Sequence, residues 1–302
     1  MKVLITGATG LVGKELVSQL LDKGIFINYL TTSQDKIKDK EIYKGFLWNP
    51  DKAEIDKSSI KDVDAIIHLA GSTISKRWTP EYKKEILDSR VLSTNLLHDT
   101  LKHNAHSVTH FIGASATGIY PNSLTKVYSE ESTDKDDSFL STVVQKWEAA
   151  EDRISSLNIK VAKIRTGLVL SGEGGVLKEL AGPTKLGLGA AFGSGKQIQS
   201  WIHHSDLVGI YHYVLENQLT GIYNAVAPHP ISQEDLVKTI AEVLGKPYIM
   251  PNLPRFAMKL ALGEMHKLLF DSQNVSAKKI INSGYQFEYL SLNKAIADCL
   301  LP

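Results

Sequence analysis

The sequence predicts an α/β protein built on a doubly wound parallel sheet, with a smaller C-terminal region on one side of it. Two observations carry this prediction. Short β-rich runs alternate with helical patterns through the first half of the chain, which is typical of parallel strands joined by right-handed crossovers. In addition, a glycine-rich turn from Gly7 to Gly13 stands between the first apolar run and an amphipathic helix.

Each element follows from a local pattern. The apolar run Val3-Leu4-Ile5 predicts a buried strand, and apolar residues at helical spacing from Leu11 to Lys23 predict the first helix, which Gly24 ends. The pair Thr79-Pro80 predicts the capped start of a long helix that continues to about Leu101. The remaining predictions are strands at 26–31, 46–48, 65–69, 109–113 and 160–166, and helices at 139–155, 206–216 and 233–244.

Composition excludes several classes of function. The 34 basic and 33 acidic residues leave a formal net charge of +1, which does not favour binding to nucleic acid or to an anionic membrane. The single cysteine, Cys299, excludes a disulfide within the chain and a cysteine-based zinc cage, and no other metal-ligand spacing appears. No apolar run approaches the ~20 residues that span a bilayer. We therefore expect a cytoplasmic protein, monomeric or homodimeric, whose partner is a small molecule and which holds no metal.

The glycine-rich turn has the spacing Gly-x-x-Gly-x-x-Gly. The first glycine permits a tight turn, the second lets a pyrophosphate approach the backbone, and the third lets helix and strand pack closely. Free N–H groups and the partial positive charge at the start of the helix then stabilise the phosphates. We therefore predict a Rossmann-type dinucleotide site whose contacts include Gly7, Thr9, Gly10, Leu11, Val12 and Gly13.

The end of the second strand discriminates between the two nicotinamide dinucleotides. In proteins that bind NAD, an acidic residue there binds the ribose 2′-hydroxyl. Here the residues are Thr31, Thr32 and Ser33, with no acid before Asp35 and with two lysines behind it. Hydroxyl groups and cations suit a 2′-phosphate better than a carboxylate would, so the sequence favours NADP(H) over NAD(H). The alternative is a polar turn without a role in binding.

The composition and the periodicity of the sequence change after Leu170. Glycines crowd residues 172–195, and long periodic patterns are few there. We therefore place an NAD(P)-binding domain at residues 1–169 and a substrate-side region at 170–302. No Pro/Ser-rich or charged spacer separates the two regions, so we expect the second region to pack against the sheet. The glycine-rich stretch is either a mobile flap over the ligand or a solvated loop.

Several motifs point to one class of protein. The glycine spacing resembles that of the extended short-chain dehydrogenase/reductase superfamily, the group of sugar-nucleotide epimerases and dehydratases. Other segments are similar to an atypical, epimerase-like subgroup with a short dedicated C-terminal domain, here about residues 250–302. They are Arg77-Trp78, Ser89-Arg90, Ser115-Ala116-Thr117-Gly118-Ile119-Tyr120, Trp147-Glu148, Gly193-Ser194-Gly195, Trp201-Ile202-His203 and Gly263-Glu264-Met265. The resemblance covers essentially the whole chain, and members of the subgroup generally lack an assigned reaction.

The resemblance also implies binding and catalytic positions. Leu69, Ala70 and Gly71 would line the nicotinamide ribose, and Thr32 stands where the subgroup usually carries an arginine, which loosens the preference for NADP(H). The superfamily uses a Ser that polarises the substrate, a Tyr that exchanges the proton and a Lys that lowers the pKa of that Tyr. A helix Asn usually completes this set. Proton transfer at oxygen must accompany hydride transfer at carbon.

This chain keeps only part of that machinery. Ser115 matches the Ser position, and we expect it near the nicotinamide. Arg90 falls where the Asn is expected. The Tyr and Lys positions fall at Leu140 and Val144, which cannot exchange a proton. A shifted alignment brings Lys146 to the Lys position but puts a threonine, a very weak acid, at the Tyr position.

Three other polar residues are predicted to have structural rather than catalytic roles. Tyr120 matches a loop tyrosine common among extended members, so we interpret it as structural. His203 precedes a helix that begins near Asp206, and we interpret it as part of a helix cap. Arg165 ends a strand, where an internal salt bridge is favoured over a substrate contact.

Two functions remain open. The first is an NADP(H)-dependent oxidoreductase in which Ser115 and Arg90 hold a carbonyl or hydroxyl of an unidentified small molecule. The second is a dinucleotide-binding protein without turnover, in which the cofactor is structural or reports redox state. The absent Tyr and Lys favour the second, whereas Ser115 and the elaborate substrate-side region favour the first.

Overall fold

The computed structural model of the protein describes residues 1–135 and 137–301, and a mainly parallel sheet runs through its centre. The strand order is β13-β9-β7-β6-β1-β2-β4-β3, with β5 paired to β4. The described strands are β1 (Lys2–Thr6), β2 (Phe26–Thr31), β3 (Asp39–Lys40), β4 (Tyr43–Asn49), β5 (Glu54–Ile55), β6 (Ala65–His68), β7 (His110–Ala116), β8 (Val127–Tyr128), β9 (Lys160–Thr166), β10 (Leu168–Leu170), β11 (Ile198–Gln199), β12 (Trp201–His203), β13 (Gly221–Ala225), β14 (Ile231–Ser232) and β15 (Asn274–Val275).

Helices cover both faces of this sheet. They are α1 (Leu11–Asp22), α2 (Pro80–His103), α3 (Phe139–Asp152), α4 (Gly175–Lys185), α5 (His204–Glu216), α6 (Gln233–Val243), α7 (Arg255–Leu262), α8 (Lys267–Phe270), α9 (Lys278–Asn282) and α10 (Leu292–Leu300). From β13 to β4 all neighbouring strands run parallel, while β3 and β5 are antiparallel to β4. The predicted α/β class with a doubly wound parallel sheet is confirmed.

The first strand shows why the sheet is buried on both sides. Val3 and Ile5 belong to one hydrophobic cluster, which also contains Leu16 of α1. Leu4 points to the opposite face and packs with Leu97 of α2 and its neighbours. A strand covered on both faces reads as a continuous apolar run, which is the pattern that predicted it.

Most predicted elements are observed, with shifted ends. Thr79 caps α2 by accepting a hydrogen bond from the Tyr82 amide at 3.2 Å. The predicted strand 109–113 begins one residue later and continues to Ala116, and the predicted helix 139–155 ends at Asp152 and continues as a 3₁₀ turn. The edge strand β13 was not predicted.

Part of the glycine-rich stretch forms a helix that neither predicted alternative included. Residues 175–185 form the helix α4, whose Leu177 and Ala181 are buried in a third hydrophobic cluster together with Trp201 and Ile296. Sequence patterns did not indicate this helix, because glycines flank it and it contains Pro183. Residues 175–185 of the stretch are therefore a helix packed on the core and not a loop.

The predicted boundary after residue 169 separates two parts of the chain whose strands and helices pack together in one structure. Beyond it, α5 packs on α1, and β13 pairs with β9 at the edge of the main sheet. Residues 170–301 thus contribute both to the sheet and to the layer of helices packed on it. Among the described residues, no helix has both the length and the apolar run that crossing a bilayer requires.

Candidate dinucleotide and substrate site

The glycine-rich turn joins β1 to α1 with the geometry that the motif predicts. Gly7 adopts a left-handed conformation at φ 71°, and a Cβ on it would come within 2.9 Å of the Leu69 carbonyl group. A Cβ on Gly13 would lie 2.1 Å from the Gly7 carbonyl oxygen. Gly10 is exposed and begins α1 without any side-chain cap. The uncapped N–H groups are therefore free for an anion.

One threonine, Thr6, fixes the conformation of the segment that follows the neighbouring strand β6. Thr6 Oγ1 accepts hydrogen bonds from the amides of Leu69 and Ala70 at 3.1 and 3.0 Å. Its own proton must then go to Nδ1 of His68, 2.7 Å away. Burial, together with the charge of Arg90, lowers the pKa of His68 to about 3. The neutral, buried His68 thus orients the Thr6 hydroxyl, which in turn holds the Leu69–Gly71 segment beside the glycine-rich turn.

The end of β2 carries one contact that the sequence did not suggest. Thr31 is buried, Thr32 is exposed, and the Ser33 hydroxyl donates a 2.5 Å hydrogen bond to Asp35. That bond lowers the pKa of Asp35, so the carboxylate is charged at neutral pH. A negative charge therefore lies next to Ser33, where the sequence predicted only hydroxyl groups.

A cavity of about 210 Å³ opens at the carboxyl edge of the sheet. Its floor is formed where β7 and β9 end, and its walls come from α2, α3 and two segments of the second half of the chain. The lining residues are Ile74, Arg90, Ala116, Thr117, Gly118, Leu140, Val143, Val144, Trp147, Thr166, Gly167, Leu168, Ile198, Gln199, Ser200, Leu268, Asp271 and Gln273. Ligands of open parallel sheets bind at this edge, next to the point where the strand order reverses.

Arg90 connects this cavity to the dinucleotide side. A Cβ on Gly71 would lie 3.1 Å from Cζ of Arg90, so the guanidinium rests against the segment that follows β6. Arg90 Nη1 donates to the carbonyls of Ser72 and Ile86, and its guanidinium stacks on Trp147 at 5.0 Å. Burial lowers the pKa of Arg90 to about 10, and the group remains a cation at neutral pH.

The two positions that correspond to Tyr and Lys are inside the cavity. Leu140 and Val144 both line it from α3, one helical turn apart. Trp147 lies next along the same face. The wall that would present a phenol and an ammonium group is therefore apolar.

Ser115 lies elsewhere. It is buried and does not line the cavity, and its hydroxyl donates a 2.6 Å hydrogen bond to Glu148. Arg165 binds the same carboxylate through two hydrogen bonds of 2.7 and 2.8 Å, as the predicted internal salt bridge. Burial alone would raise the pKa of Glu148, but the Arg165 contacts outweigh it and the pKa is lowered. Ser115 thus belongs to a buried ionic network beneath the cavity.

The other two scaffold interpretations agree with the geometry. Tyr120 is buried, donates to Asn224 at 2.8 Å and accepts from Arg165 at 2.9 Å. Burial raises the pKa of Tyr120. His203 is the N-cap of α5 and accepts a 3.3 Å hydrogen bond from the Ser205 amide.

Sequence reasoning missed residues that do line the cavity. Ala116 and Thr117, which directly follow Ser115 in the chain, line the cavity. Gln199, Leu268 and Gln273 close it from the second half of the chain. The alternation of side chains along β7 could have identified Ala116, because neighbours in a strand point to opposite faces. No signal in the sequence brings residues 199, 268 and 273 together.

The sheet, the glycine-rich turn and the cavity define a dinucleotide-binding protein of the short-chain dehydrogenase/reductase type. The chain belongs to the NAD dependent epimerase/dehydratase family, whose model matches residues 3–144. A second model, a domain of unknown function (DUF1731), matches residues 253–299. Epimerase family proteins of Staphylococcus haemolyticus and Staphylococcus aureus (strain N315) are 37% and 36% identical to it, each over 98% of both chains.

Solved structures agree with this assignment. The crystal structure of the human epimerase family protein SDR39U1 (isoform 2) with NADPH has a TM-score of 0.86 and 29% identity, and covers 99% of both chains. A nucleoside-diphosphate sugar epimerase from Corynebacterium glutamicum has a TM-score of 0.79 and 31% identity, over 99% of this chain and 58% of the other. The predicted family and its C-terminal domain are thus confirmed.

Proposed function

We propose that this protein is an NADP(H)-dependent oxidoreductase that acts on a small molecule in the cavity beside Arg90. The single observation that carries the proposal is the cavity itself, which lies at the carboxyl edge of the sheet and adjoins the Leu69–Gly71 segment through Arg90. The glycine-rich turn and the uncapped start of α1 would hold the pyrophosphate. Bound there, the dinucleotide supplies or accepts a hydride.

The lining suggests the class of substrate. A volume of about 210 Å³ is below the roughly 300–1,000 Å³ of sites that enclose drug-sized ligands. Leu140, Val144 and Trp147 offer apolar and aromatic contacts, and Arg90 offers one cation that forms no ion pair with a carboxylate among the described residues. We infer a small, partly apolar carbonyl or alcohol with an anionic or strongly polar group that Arg90 binds.

The chemistry has to work without a phenol at position 140. Thr117 is the hydroxyl-bearing residue that directly follows β7 in the cavity wall, and we assign it, instead of Ser115, the contact with the substrate oxygen. Because threonine is a very weak acid, the proton at that oxygen would come from water or from the substrate. Hydride transfer to a substrate that carries its own acidic proton is therefore the favoured reaction.

Preference for NADP(H) over NAD(H) is part of the proposal. The human relative was crystallised with NADPH. Thr32 is exposed at the end of β2, and Lys36 and Lys38 are exposed behind it. The Asp35 carboxylate beside Ser33 works against a 2′-phosphate, so we expect a moderate preference rather than a strict one.

A second function is favoured by a specific observation. Leu140 and Val144 make the cavity wall apolar where the family's proton-transfer pair would stand, and Ser115 is bonded to Glu148. A protein that binds NADP(H) without turnover, as a structural cofactor or a redox sensor, is consistent with this arrangement.

Deuterium transfer separates the two functions. We would incubate the protein with NADPH deuterated at C4 and a pool of small cytoplasmic metabolites, and follow deuterium in the products by mass spectrometry. A Gly10→Val variant, which should not bind the dinucleotide, is the control. Deuterium in one product with the wild type only supports the oxidoreductase. Tight NADPH binding with no transfer above the control supports the non-catalytic alternative.

A further inference from the structure

Four metal-ligating side chains converge outside the cavity, where α5 begins and α10 ends. They are His203, His204, Asp298 and Cys299, and one ligand atom from each lies within 4.8 Å of the other three. The two pairs come from distant points of the chain, and neither pair alone has metal-binding spacing. No spacing along the chain therefore predicts a metal here, and we expected none.

His203 makes the strongest case for a bound ion. Its side chain is fully buried, and its Nε2 forms no hydrogen bond within the described part of the chain. A buried polar atom without a partner is costly. Nε2 lies 3.3 Å from Oδ2 of Asp298, a separation without hydrogen-bond geometry. Two ligands of one tetrahedral zinc ion, each about 2.0–2.1 Å from it, would be separated by roughly this distance.

His204 is held as zinc-bound histidines usually are. Its Nδ1 is hydrogen-bonded to Oε2 of Glu15, and the Ser205 hydroxyl donates to Oε1 of the same carboxylate at 3.0 Å. Metal-bound histidines commonly donate their second N–H to a carboxylate, which fixes the ring. The other polar contact of His204 is a hydrogen bond with Cys299, and a bound ion would take the place of that bond.

The donor set selects the kind of ion. One thiolate, two imidazoles and one carboxylate are typical of zinc, whereas Mg²⁺ and Ca²⁺ prefer oxygen ligands alone. The ring of Tyr289 stacks on His203 at 3.7 Å. Asp298 is 48% exposed, which leaves a path from solvent.

We propose that His203, His204, Asp298 and Cys299 form a structural Zn²⁺ site that fastens the C-terminal helix α10 to the start of α5. Four protein ligands leave no open position, which is typical of a structural rather than a catalytic zinc. On binding, the Cys299 thiol releases one proton to solvent. Hydrogen bonds with Cys299 and Glu15 raise the pKa of His204, so its imidazolium also releases one proton, from the nitrogen that binds the ion, and it keeps the Nδ1 proton that it donates to Glu15. The His203 proton moves to Nδ1, so the 3.3 Å hydrogen bond from the Ser205 amide is lost.

Cobalt titration tests this proposal. The untagged full-length chain is stripped with a chelator, dialysed and titrated with Co²⁺ as a spectroscopic substitute for Zn²⁺. We expect one equivalent to bind with a thiolate-to-cobalt charge-transfer band and intense tetrahedral visible bands, all displaced by Zn²⁺. Cys299→Ser should abolish the charge-transfer band, and Asp298→Asn should weaken Zn²⁺ binding at least tenfold. Glu15→Gln should weaken it by about 10–100-fold.

A matched control uses the same helix. His212 also lies on α5 but outside the group, so His212→Asn should leave the cobalt spectrum and the Zn²⁺ affinity unchanged. Circular dichroism verifies that each variant is folded. In addition, Zn²⁺ should raise the melting temperature of the wild type and not that of Cys299→Ser. A wild type without the charge-transfer band, or equal Zn²⁺ affinities for wild type, Cys299→Ser and Asp298→Asn, would overturn the proposal.

Discussion

The Ser115 hydroxyl donates a 2.6 Å hydrogen bond to the Glu148 carboxylate, beneath the cavity rather than in it. Both residues are buried, and the carboxylate also accepts two hydrogen bonds from Arg165. A hydrogen bond to a charged group contributes about 1.5–3 kcal/mol. The relationship therefore assigns Ser115 a stabilising role in the network that supports the floor of the cavity.

The first prediction follows from this relationship. Ser115→Ala should lower the free energy of unfolding by about 1.5–3 kcal/mol, because Glu148 loses a donor that water cannot readily replace. The NADPH dissociation constant should stay within about twofold. Urea unfolding and nicotinamide fluorescence on the same preparation measure the two effects. An unchanged stability with a clear loss of NADPH affinity would instead return Ser115 to the cofactor site, as the family resemblance implied.

Sequence reasoning succeeded where local pattern and local structure coincide. The Val3–Ile5 run, the glycine-rich turn and the Thr79-Pro80 cap each specify their element through neighbours in the chain. It missed α4, whose apolar residues are stabilised by distant partners such as Trp201, and β13, which is ordered by pairing with β9.

The same distinction between local and distant contacts applies to the residues of the candidate site. The family resemblance assigned Arg90, Leu140 and Val144 to site positions through motifs within single elements, and all three line the cavity. The orientation of Ser115 could not be predicted in this way, because it depends on Glu148, a partner on another element. The cluster of His203 with Cys299 likewise depends on where α10 docks, which spacing along the chain does not encode.

The second prediction concerns the glycine-rich turn. Gly10→Val should abolish dinucleotide binding while leaving the fold intact, because the new side chain stands where a pyrophosphate must approach the backbone. The backbone of Gly10 is extended, so valine introduces no left-handed strain, although its Cβ would lie 3.2 Å from the Gly7 carbonyl oxygen. Circular dichroism and an NADPH titration separate loss of fold from loss of binding. Gly182→Val, at a position with nothing within 4 Å of an added Cβ, is the control.

The third prediction concerns cofactor preference. The wild type should bind NADPH more tightly than NADH, since Thr31 and Thr32 provide no carboxylate at the end of β2. Asp35→Asn should increase NADPH affinity severalfold, because it removes the charge that Ser33 now binds. Ser33→Asp should shift the preference toward NADH through repulsion of the 2′-phosphate. Fluorescence titrations with both cofactors measure this, and equal wild-type affinities or tighter NADH would contradict it.

The fourth prediction concerns Glu151, whose carboxyl group is fully buried and forms no hydrogen bond in the described part of the chain. Burial, and then the nearby charge of Glu148, raises the pKa of Glu151 well above its usual range. In the unfolded chain the carboxyl ionises near its ordinary pKa of about 4.3. As pH rises above that value, the unfolded state releases a proton that the folded state retains, so the folded state loses stability until its own raised pKa is reached.

Glu151→Gln should therefore stabilise the protein by an amount that grows with pH. The side chain keeps its shape and its space against Gly113, where no Cβ would fit. Melting temperatures of wild type and variant should converge below about pH 4 and separate progressively from pH 5 upward. Parallel curves across this range would show that Glu151 ionises alike in the folded and unfolded states.

The last prediction concerns the reaction for which the family is named. The protein should show no measurable 4-epimerase or dehydratase activity on nucleotide sugars, because those reactions couple hydride removal at carbon to proton removal from a hydroxyl. Leu140 and Val144 line the cavity where that proton would be taken. General acid–base assistance contributes roughly 10²–10⁴-fold, so its loss should be decisive. The assay is a panel of UDP-, GDP- and dTDP-sugars incubated at length with NAD⁺ or NADP⁺ and analysed by chromatography.

Two residues are the candidates to replace the missing acid if turnover appeared. Tyr120 is bonded to Asn224 and Arg165, and burial raises its pKa, so it is a poor base in the ground state. His203 is buried at the start of α5, and it does not line the cavity. Turnover that survives both Tyr120→Phe and His203→Asn would mean that the proton is transferred by a group outside this pair. Turnover lost in one variant, with its fold intact, would identify that residue as the replacement.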